Sequence, residues 1–334
     1  MKSIIIVDCI STGKNFIKDI IRRNYKPVIL EPKFDSRTPE EVAKRREWYI
    51  DEYATIDEEY DLIFEQDTFE ETVEMVKKLN PKLILPGNEN GVVLATQLAN
   101  ELGLLSNPNE ILDAMTLKSE MQNALKRAGI RYIKGKVISS LEEAVEYYRE
   151  SDLKEVVVKP IRNAGSFGVT ICSNEEELCN AVEKTLGVGG LYGEGKYELI
   201  IQERIRGDEY IVNTVSHKWV HRLTTIWRYY KKQTSEGNYI YDYMESVNEL
   251  EIDQAEMVEY AYKVADAIGI QYGAVHGEYM LDEKGPVLIE VNCRPSGGHM
   301  DEEFLDNISG QHETDSVLDS YLNPERFNYE RMQR

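Results

Sequence analysis

The sequence predicts two structural classes joined in one chain, α/β plus α+β. A small doubly wound parallel α/β unit spans residues 1–106, and an α+β unit with an antiparallel sheet follows over 107–334. Three observations carry this reading. Short continuous apolar runs recur through the first hundred residues, as strands buried on both faces require. Helical patterns separate them, which is the grammar of a parallel sheet with crossover helices. After Asn107-Pro108 that grammar changes to helices opened by capping residues and strands of antiparallel type.

Element by element, Ser3 to Val7 is a β-branched run ended by Asp8. The turn Ser11-Thr12-Gly13 follows, then Phe16, Ile17, Ile20 and Ile21 at helical spacing. Pro27 to Leu30, Leu62 to Phe64 and Leu83 to Leu85 read as the next three strands. Thr68-x-x-Glu71 is a capping box opening a helix with Phe69, Val73, Val76 and Leu79 inward, and Pro81 follows its end. Between Pro32 and Tyr60 the chain is dense in charge and tyrosine, with a helix near Glu40 to Tyr49 and no chemistry assigned.

In the second unit, Ser140-x-x-Glu143 and Asn174-x-x-Glu177 open helices, and Glu155 to Val158 and Val169 to Cys172 read as strands. The run from Gly187 to Gly195 has too much glycine for a regular element and reads as a mobile loop. Leu199 to Gln202 and Tyr210 to Val215 are strands. A helix capped by Asp253 turns Met257, Tyr260, Ala261, Val264 and Ala265 inward, and strands at Gly277 to Leu281 and Val287 to Val291 complete the pattern. There is no internal repeat.

Composition narrows the function classes. The 334 residues are 42% hydrophobic and 30% charged, ordinary for a folded chain with a substantial core. Lys and Arg number 39 against 60 Asp and Glu, a formal charge of -21, which argues against nucleic acid and anionic membranes as partners. Cys9, Cys172, Cys179 and Cys293 share no CxxC spacing and read as buried thiols in a reducing compartment. The N-terminal apolar run is too short for a signal core or a membrane span, so a cytoplasmic protein is expected.

The chemistry-bearing residues are scattered. Glu290 and Asn292 lie two apart on one strand and Glu278 on its neighbour, a set of hard oxygen ligands suited to magnesium. Lys159 ends an apolar strand and precedes the glycine-bearing loop Asn163-Ala-Gly-Ser-Phe-Gly-Val169, whose backbone N–H groups can wrap a phosphate. Each feature alone has an ordinary structural explanation, a polar strand face or a hairpin turn. Their order is the stronger signal: Lys118 on a helix, Lys159, Gln202-Glu-Arg-Ile-Arg-Gly-Asp-Glu209, Glu278, then Ile289-Glu-Val-Asn-Cys-Arg-Pro-Ser-Gly-Gly298.

In that order the chain resembles the ATP-grasp superfamily of ATP-dependent carboxylate–amine ligases over residues 1 to about 310. The resemblance implies an ATP-grasp fold preceded by a pre-ATP-grasp domain over 1–106. Within it, 132–198 would be a mobile lid and 199–310 a large subdomain with the metal site. ATP and Mg2+ are the implied cofactors, with Mn2+ as a substitute. Lys118 and Lys159 match the phosphate lysines, and Gly165, Ser166 and Gly168 the loop that closes over them. Gln202 stands where the family usually has Glu facing the adenine amino group, and its oxygen can still accept that hydrogen bond. Glu203 and Ile205 match the adenine hinge and Glu209 the ribose ligand. Glu278, Glu290 and Asn292 match the metal ligands, and Arg294 is the cation for the transferred phosphate or the tetrahedral intermediate.

Val275-His276-Gly-Glu278 with Asn292-Cys-Arg294-Pro-Ser-Gly-Gly298 is similar to the L-amino-acid ligases and carnosine-synthase-type enzymes. There His276 would bind a substrate carboxylate or phosphate. The expected substrates are an amino acid or other small carboxylate and an amine, with Asn88 and Glu89 as candidates for a substrate amino group. A homodimer is one assembly open to the chain. Those ligases usually carry a further C-terminal subdomain; a compact member and a shortened polypeptide both remain open. Other open readings are a ligase acting on formate or bicarbonate with a nucleotide precursor, one acting on a peptide end, and a nucleotide-binding sensor. The sensor draws no support from a chain that keeps every metal ligand and both lysines.

Overall fold

The computed structural model describes residues 1–33, 38–161, 168–186, 198–233, 239–247 and 251–331. The chain begins β1 (Ser3–Val7), α1 (Asn15–Arg22), β2 (Lys26–Glu31), α2 (Pro39–Tyr53), β3 (Asp61–Phe64), α3 (Phe69–Lys78), β4 (Pro81–Pro86) and α4 (Gly91–Glu101). These strands pair in parallel in the order β3-β2-β1-β4. Side chains alternate across β1, so Ile5 and Val7 pack with α3 and α4 while Ile4 and Ile6 pack with α1 and α2. The helix expected near Glu40 to Tyr49 runs to Tyr53. Thr38 and Glu41 form its capping box, and Tyr49 and Tyr53 are buried with Ile4, Ile6 and Ile29. The tyrosine-rich segment is therefore a cover for the first sheet.

α5 (Leu112–Thr116) and α6 (Lys118–Ala128) lead to β5 (Gly135–Ile138), α7 (Leu141–Glu150), β6 (Val156–Pro160), β7 (Thr170–Cys172), α8 (Glu175–Leu186) and β8 (Leu199–Glu203). The strands form an antiparallel sheet in the order β5-β8-β6-β7. Ser140 and Asn174 cap α7 and α8 as their spacing predicts, accepting from Glu143 N–H at 3.2 Å and Glu177 N–H at 2.9 Å. Ile138, Val156, Val158, Leu199 and Ile201 pack under these helices. The opposite face of the sheet carries Val157, Lys159, Ile200 and Gln202. The 187–195 loop lies outside the described residues.

β9 (Asp208–His217), β10 (Val220–Gln233), β11 (Tyr239–Ser246), α9 (Ile252–Ile268), β12 (Tyr272–Asp282) and β13 (Gly285–Asn292) build an antiparallel sheet ordered β11-β10-β9-β12-β13. Gly207 enters β9 so close to β12 that a Cβ there would stand 2.0 Å from the Leu281 carbonyl oxygen. One face of this sheet packs on α6 and α9 through Tyr210, Val212, Tyr279, Leu288 and Val291. The cap of α9 is Glu251, in a box with Gln254, and not Asp253. Asp253 falls instead in the first turn, where its charge meets the positive end of the helix dipole.

α10 (Glu302–Ser309), α11 (Glu313–Leu322) and α12 (Pro324–Arg331) then return to the start of the chain. Val317, Leu318 and Phe327 enter the same core as Ile4, Phe16 and Ile20. Arg23 of α1 reaches Asp315 at 2.6 Å and Asp319 at 2.7 Å. Among the described residues no helix is long and apolar enough to cross a membrane.

Candidate active site

The site is assembled on the face of the large sheet opposite α9. Antiparallel register sets Glu278 of β12 directly across from Glu290 of β13, and His276 across from Asn292. The two-residue spacings read from the sequence therefore converge as a square of two carboxylates, an amide and an imidazole on one face. The first residue of α6, Lys118, reaches into this square, its Nζ 2.5 Å from Glu290 Oε2. Lys159 enters from the facing sheet; it is buried and lies within electrostatic reach of Glu290, Glu278 and Glu209.

Charges are unbalanced here in both directions. Burial, and then Glu290, hold Glu278 above the ordinary carboxylate range. Burial opposes ionisation of Glu290 as well, but Lys118 and Lys159 outweigh it and its pKa falls. Lys159 is pushed down to about 8 by burial and then by Lys118. A divalent cation beside the carboxylates and a polyanion beside the lysines would relieve both strains, and hard oxygen donors are the right chemistry for magnesium. The residues present fit a magnesium nucleotide.

His276 is oriented by a chain of hydrogen bonds. Asn213 Nδ2 donates to Thr225 Oγ1 at 2.8 Å, which turns Asn213 Oδ1 toward His276 Nδ1, also at 2.8 Å. With Asn213 Oδ1 as the acceptor, Nδ1 carries the proton and Nε2 faces the site, 3.7 Å from Glu278 Oε1. Burial, reinforced by Arg294, pushes the imidazole down to about 3. A neutral ring whose Nδ1 is engaged by Asn213 offers Nε2 as an acceptor to an N–H.

Arg294 is buried just past β13. Its Nη1 donates to the Pro295 carbonyl at 2.9 Å, Nη2 lies 3.7 Å from Glu89 Oε2, and Nε has no partner among the described residues. Glu89 sits where expected, beyond the carboxyl end of β4. Burial raises its pKa against the pull of Arg294. Asn88 turns back on the backbone, accepting from the Glu89 N–H at 2.7 Å, and so shapes the turn. Asp8 Oδ2 accepts from the Asn90 N–H at 3.1 Å and ties this turn to β1.

On the nucleotide side, Gln202 is buried and its Nε2 has no partner among the described residues. It borders a cleft of about 460 Å³ shared with Gln122, Lys126, Tyr132, Val137 and Ile200. Glu203 Oε1 accepts from the Lys134 N–H at 2.9 Å, and Ile205 is half-buried in the link to β9. Glu209 is held by Lys231 at 2.5 Å and Tyr241 at 3.5 Å. Gly168 adopts φ +73° against Pro160, a conformation suited to glycine. Gly165 and Ser166 lie outside the described residues.

Asn213, Lys231, Tyr229 and Asp8 are site neighbours that sequence reasoning missed. The first three reach the site through cross-strand register, which no local pattern reveals. Asp19, Glu302 and His312 also converge elsewhere with metal-ligand chemistry. There the imidazole Nε2 faces Asp19 at 3.0 Å and Nδ1 faces Asp306 at 2.8 Å, while Lys18 and Arg22 each lie 3.2 Å from Glu302. Those protein cations already neutralise the acids, so this cluster is a brace.

Residues 153–303 match the model of the ATP-grasp domain. The chain is 30% identical over 259 residues to dapdiamide A synthase of Enterobacter agglomerans, covering 76% of this chain and 60% of that protein. It thus spans about three fifths of that relative's length. Its fold is similar to that of an L-amino acid ligase from Bacillus licheniformis, with a TM-score of 0.75 at 17% identity over 97% of this chain and 75% of the other. D-alanine–D-alanine ligase from Bacillus anthracis, in complex with ATP, aligns over 100% of this chain and 99% of its own, with a TM-score of 0.61 at 16% identity.

Proposed function

The chain carries an ATP-grasp domain in an ATP-grasp fold, and from that premise we propose that it is an ATP- and magnesium-dependent ligase. It phosphorylates the carboxylate of an amino acid or other small acid and joins the acyl group to an amine, releasing ADP and phosphate. The observation that carries this reading is Glu278 facing Glu290 across two strands, with Lys118 on Glu290 and Lys159 opposite.

Glu278, Glu290 and Asn292 would hold the magnesium, with manganese as a substitute. The ion supplies charge neutralisation at the phosphates. Lys118 and Lys159 take the phosphate oxygens of ATP, Gln202, Glu203 and Ile205 receive the adenine, and Glu209 the ribose. Arg294 holds the oxygens whose charge grows as the phosphoryl group transfers and as the tetrahedral intermediate forms. Glu89 pairs with a substrate ammonium. His276 accepts a hydrogen bond from the attacking amine through Nε2 and aims it. We further infer a cytoplasmic location and a homodimer as the assembly to test.

The test is magnesium-dependent release of ADP and phosphate over a panel of amino acids, singly and in pairs, with Glu290→Ala as control. Release that needs amino acids and falls by at least about a hundredfold in the variant supports the proposal. Nucleotide binding without release for any pair overturns it.

A further inference from the structure

The site face of the large sheet changes character within two strands. Glu278 pairs across to Ile211 of β9, and Ile211 pairs across to Trp227 of β10. At about 4.8 Å per strand, Trp227 lies roughly 10 Å from the metal-ligand pair along the sheet. Tyr229 stands beside it on the same face, across from Glu209, with its phenol within electrostatic reach of Glu278 and Arg294. An ionic site therefore borders an apolar wall.

The second side of the wall comes from the chain just past the Arg294 turn. Met300, Leu305 and Ile308 pack on Ile211 and Trp227. Phe304 stacks on Trp227 with ring centroids 6.5 Å apart and planes at 27°, yet 49% of Phe304 remains exposed. This segment is anchored from the other side as well: Asn15 Nδ2 donates to the Met300 carbonyl at 3.2 Å, and Lys18 and Arg22 hold Glu302. A half-exposed aromatic ring on a fixed segment, stacked on the wall that leads to the carboxylate pair, is a place for a substrate group. Substrate binding would cover it.

We infer that Ile211, Trp227, Tyr229, Met300 and Phe304 form the side-chain pocket of the carboxylate substrate, and that this substrate is an amino acid with a large apolar side chain. The inference rests on the ligase reading. A carboxylate held between Arg294 and the Glu278–Glu290 pair would direct its side chain along the Ile211–Trp227 strip, where Tyr229 and Phe304 are the parts of the wall left partly open. Two charged residues of the helix after Met300 are engaged elsewhere, Glu302 with Lys18 and Arg22 and Asp306 with His312, while Glu303 is exposed beside Phe304. Glu209, the acid across from Tyr229, is paired to Lys231.

The experiment supplies the full chain with ATP, magnesium and an equimolar mixture of L-alanine, L-leucine, L-phenylalanine and L-glutamate. The N-terminal residue of the product, which derives from the carboxylate substrate, is identified by mass spectrometry. Leucine or phenylalanine should exceed alanine there by about tenfold, and Phe304→Ala should bring that ratio to within about twofold. Alanine or glutamate dominating, or an unchanged ratio in the variant, overturns the inference. Absence of any ADP release would sink the ligase reading instead. The pocket is then judged by melting: a rise in Tm with L-phenylalanine that exceeds the rise with L-alanine and disappears in Phe304→Ala upholds it, and equal rises overturn it.

Discussion

At the scale of single residues, Lys159 has the most to lose and gain. Burial and the charge of Lys118 push its pKa down to about 8, so in the ligand-free protein it sheds its proton well below the ordinary lysine range. A polyphosphate between the two lysines restores the charge. Nucleotide binding therefore takes up a proton above pH 8, and the Kd for ATP should weaken by up to about tenfold per pH unit above it. Lys159→Met should bind more weakly and show a flatter profile. A wild-type Kd that is constant from pH 7 to 9 would refute the assignment. Asn213 offers a second test, because its partner His276 is not among the residues proposed to hold ATP. Asn213→Leu should lower kcat by about tenfold or more while leaving the KM for ATP within about twofold.

Residues of this kind show what the sequence can disclose. The i, i+2 spacing of His276 with Glu278 and of Glu290 with Asn292 is a strand period, so their shared face was legible from the sequence alone. Lys118 and Lys159 were legible through their order along the chain. Asn213 and Lys231 were not, because each meets a partner more than twenty residues away in the chain through the register of paired strands. The cap of the helix after residue 250 was misplaced for a different reason. Asp is the commoner N-cap and Glu251 the rarer one, and only the reciprocal bond with Gln254 distinguishes them.

At the scale of elements, α1 and α11 are clasped by His312. Its ring lies between Asp19 and Asp306, and these two carboxylates, acting against burial, push it up to about 9. A raised folded pKa means the stabilisation is complete below about 6.5, the unfolded value, and is lost as pH rises through 9. The shift corresponds to about 3 kcal/mol. Urea unfolding should therefore show declining stability from pH 7 to 9.5 in the native protein and a shallower decline in His312→Gln, which should also be less stable at pH 6.5. Equal pH profiles would remove the clasp from the account. The three helices from Glu302 onward were not assigned from the sequence, because what covers them is distant in the chain: α10 packs on Ile211 and Trp227, and α11 and α12 enter the core of Ile4 and Phe16.

At the scale of the whole molecule, the parallel sheet and the large antiparallel sheet share one core, in which Ile4 and Leu83 meet Val215 and Ala274. Phe327 is fully buried in the core that holds Ile4, Phe16 and Ile20. Phe327→Ala should cost about 3–5 kcal/mol in urea unfolding, although no catalytic group lies on its helix. A loss under 1 kcal/mol would mean the last helix is peripheral.

That arrangement has a consequence for how the protein is made. A ribosome delivers the β1–β4 sheet well before α11 and α12, and its β1–β2–β4 face then shows Ile4, Ile6 and Leu83 to water beneath α1 and α2. The cover supplied by Val317, Leu318 and Phe327 comes only with those later helices. The sheet is thus sealed long after it is synthesised, and until α11 and α12 emerge its open face is a surface in need of a chaperone.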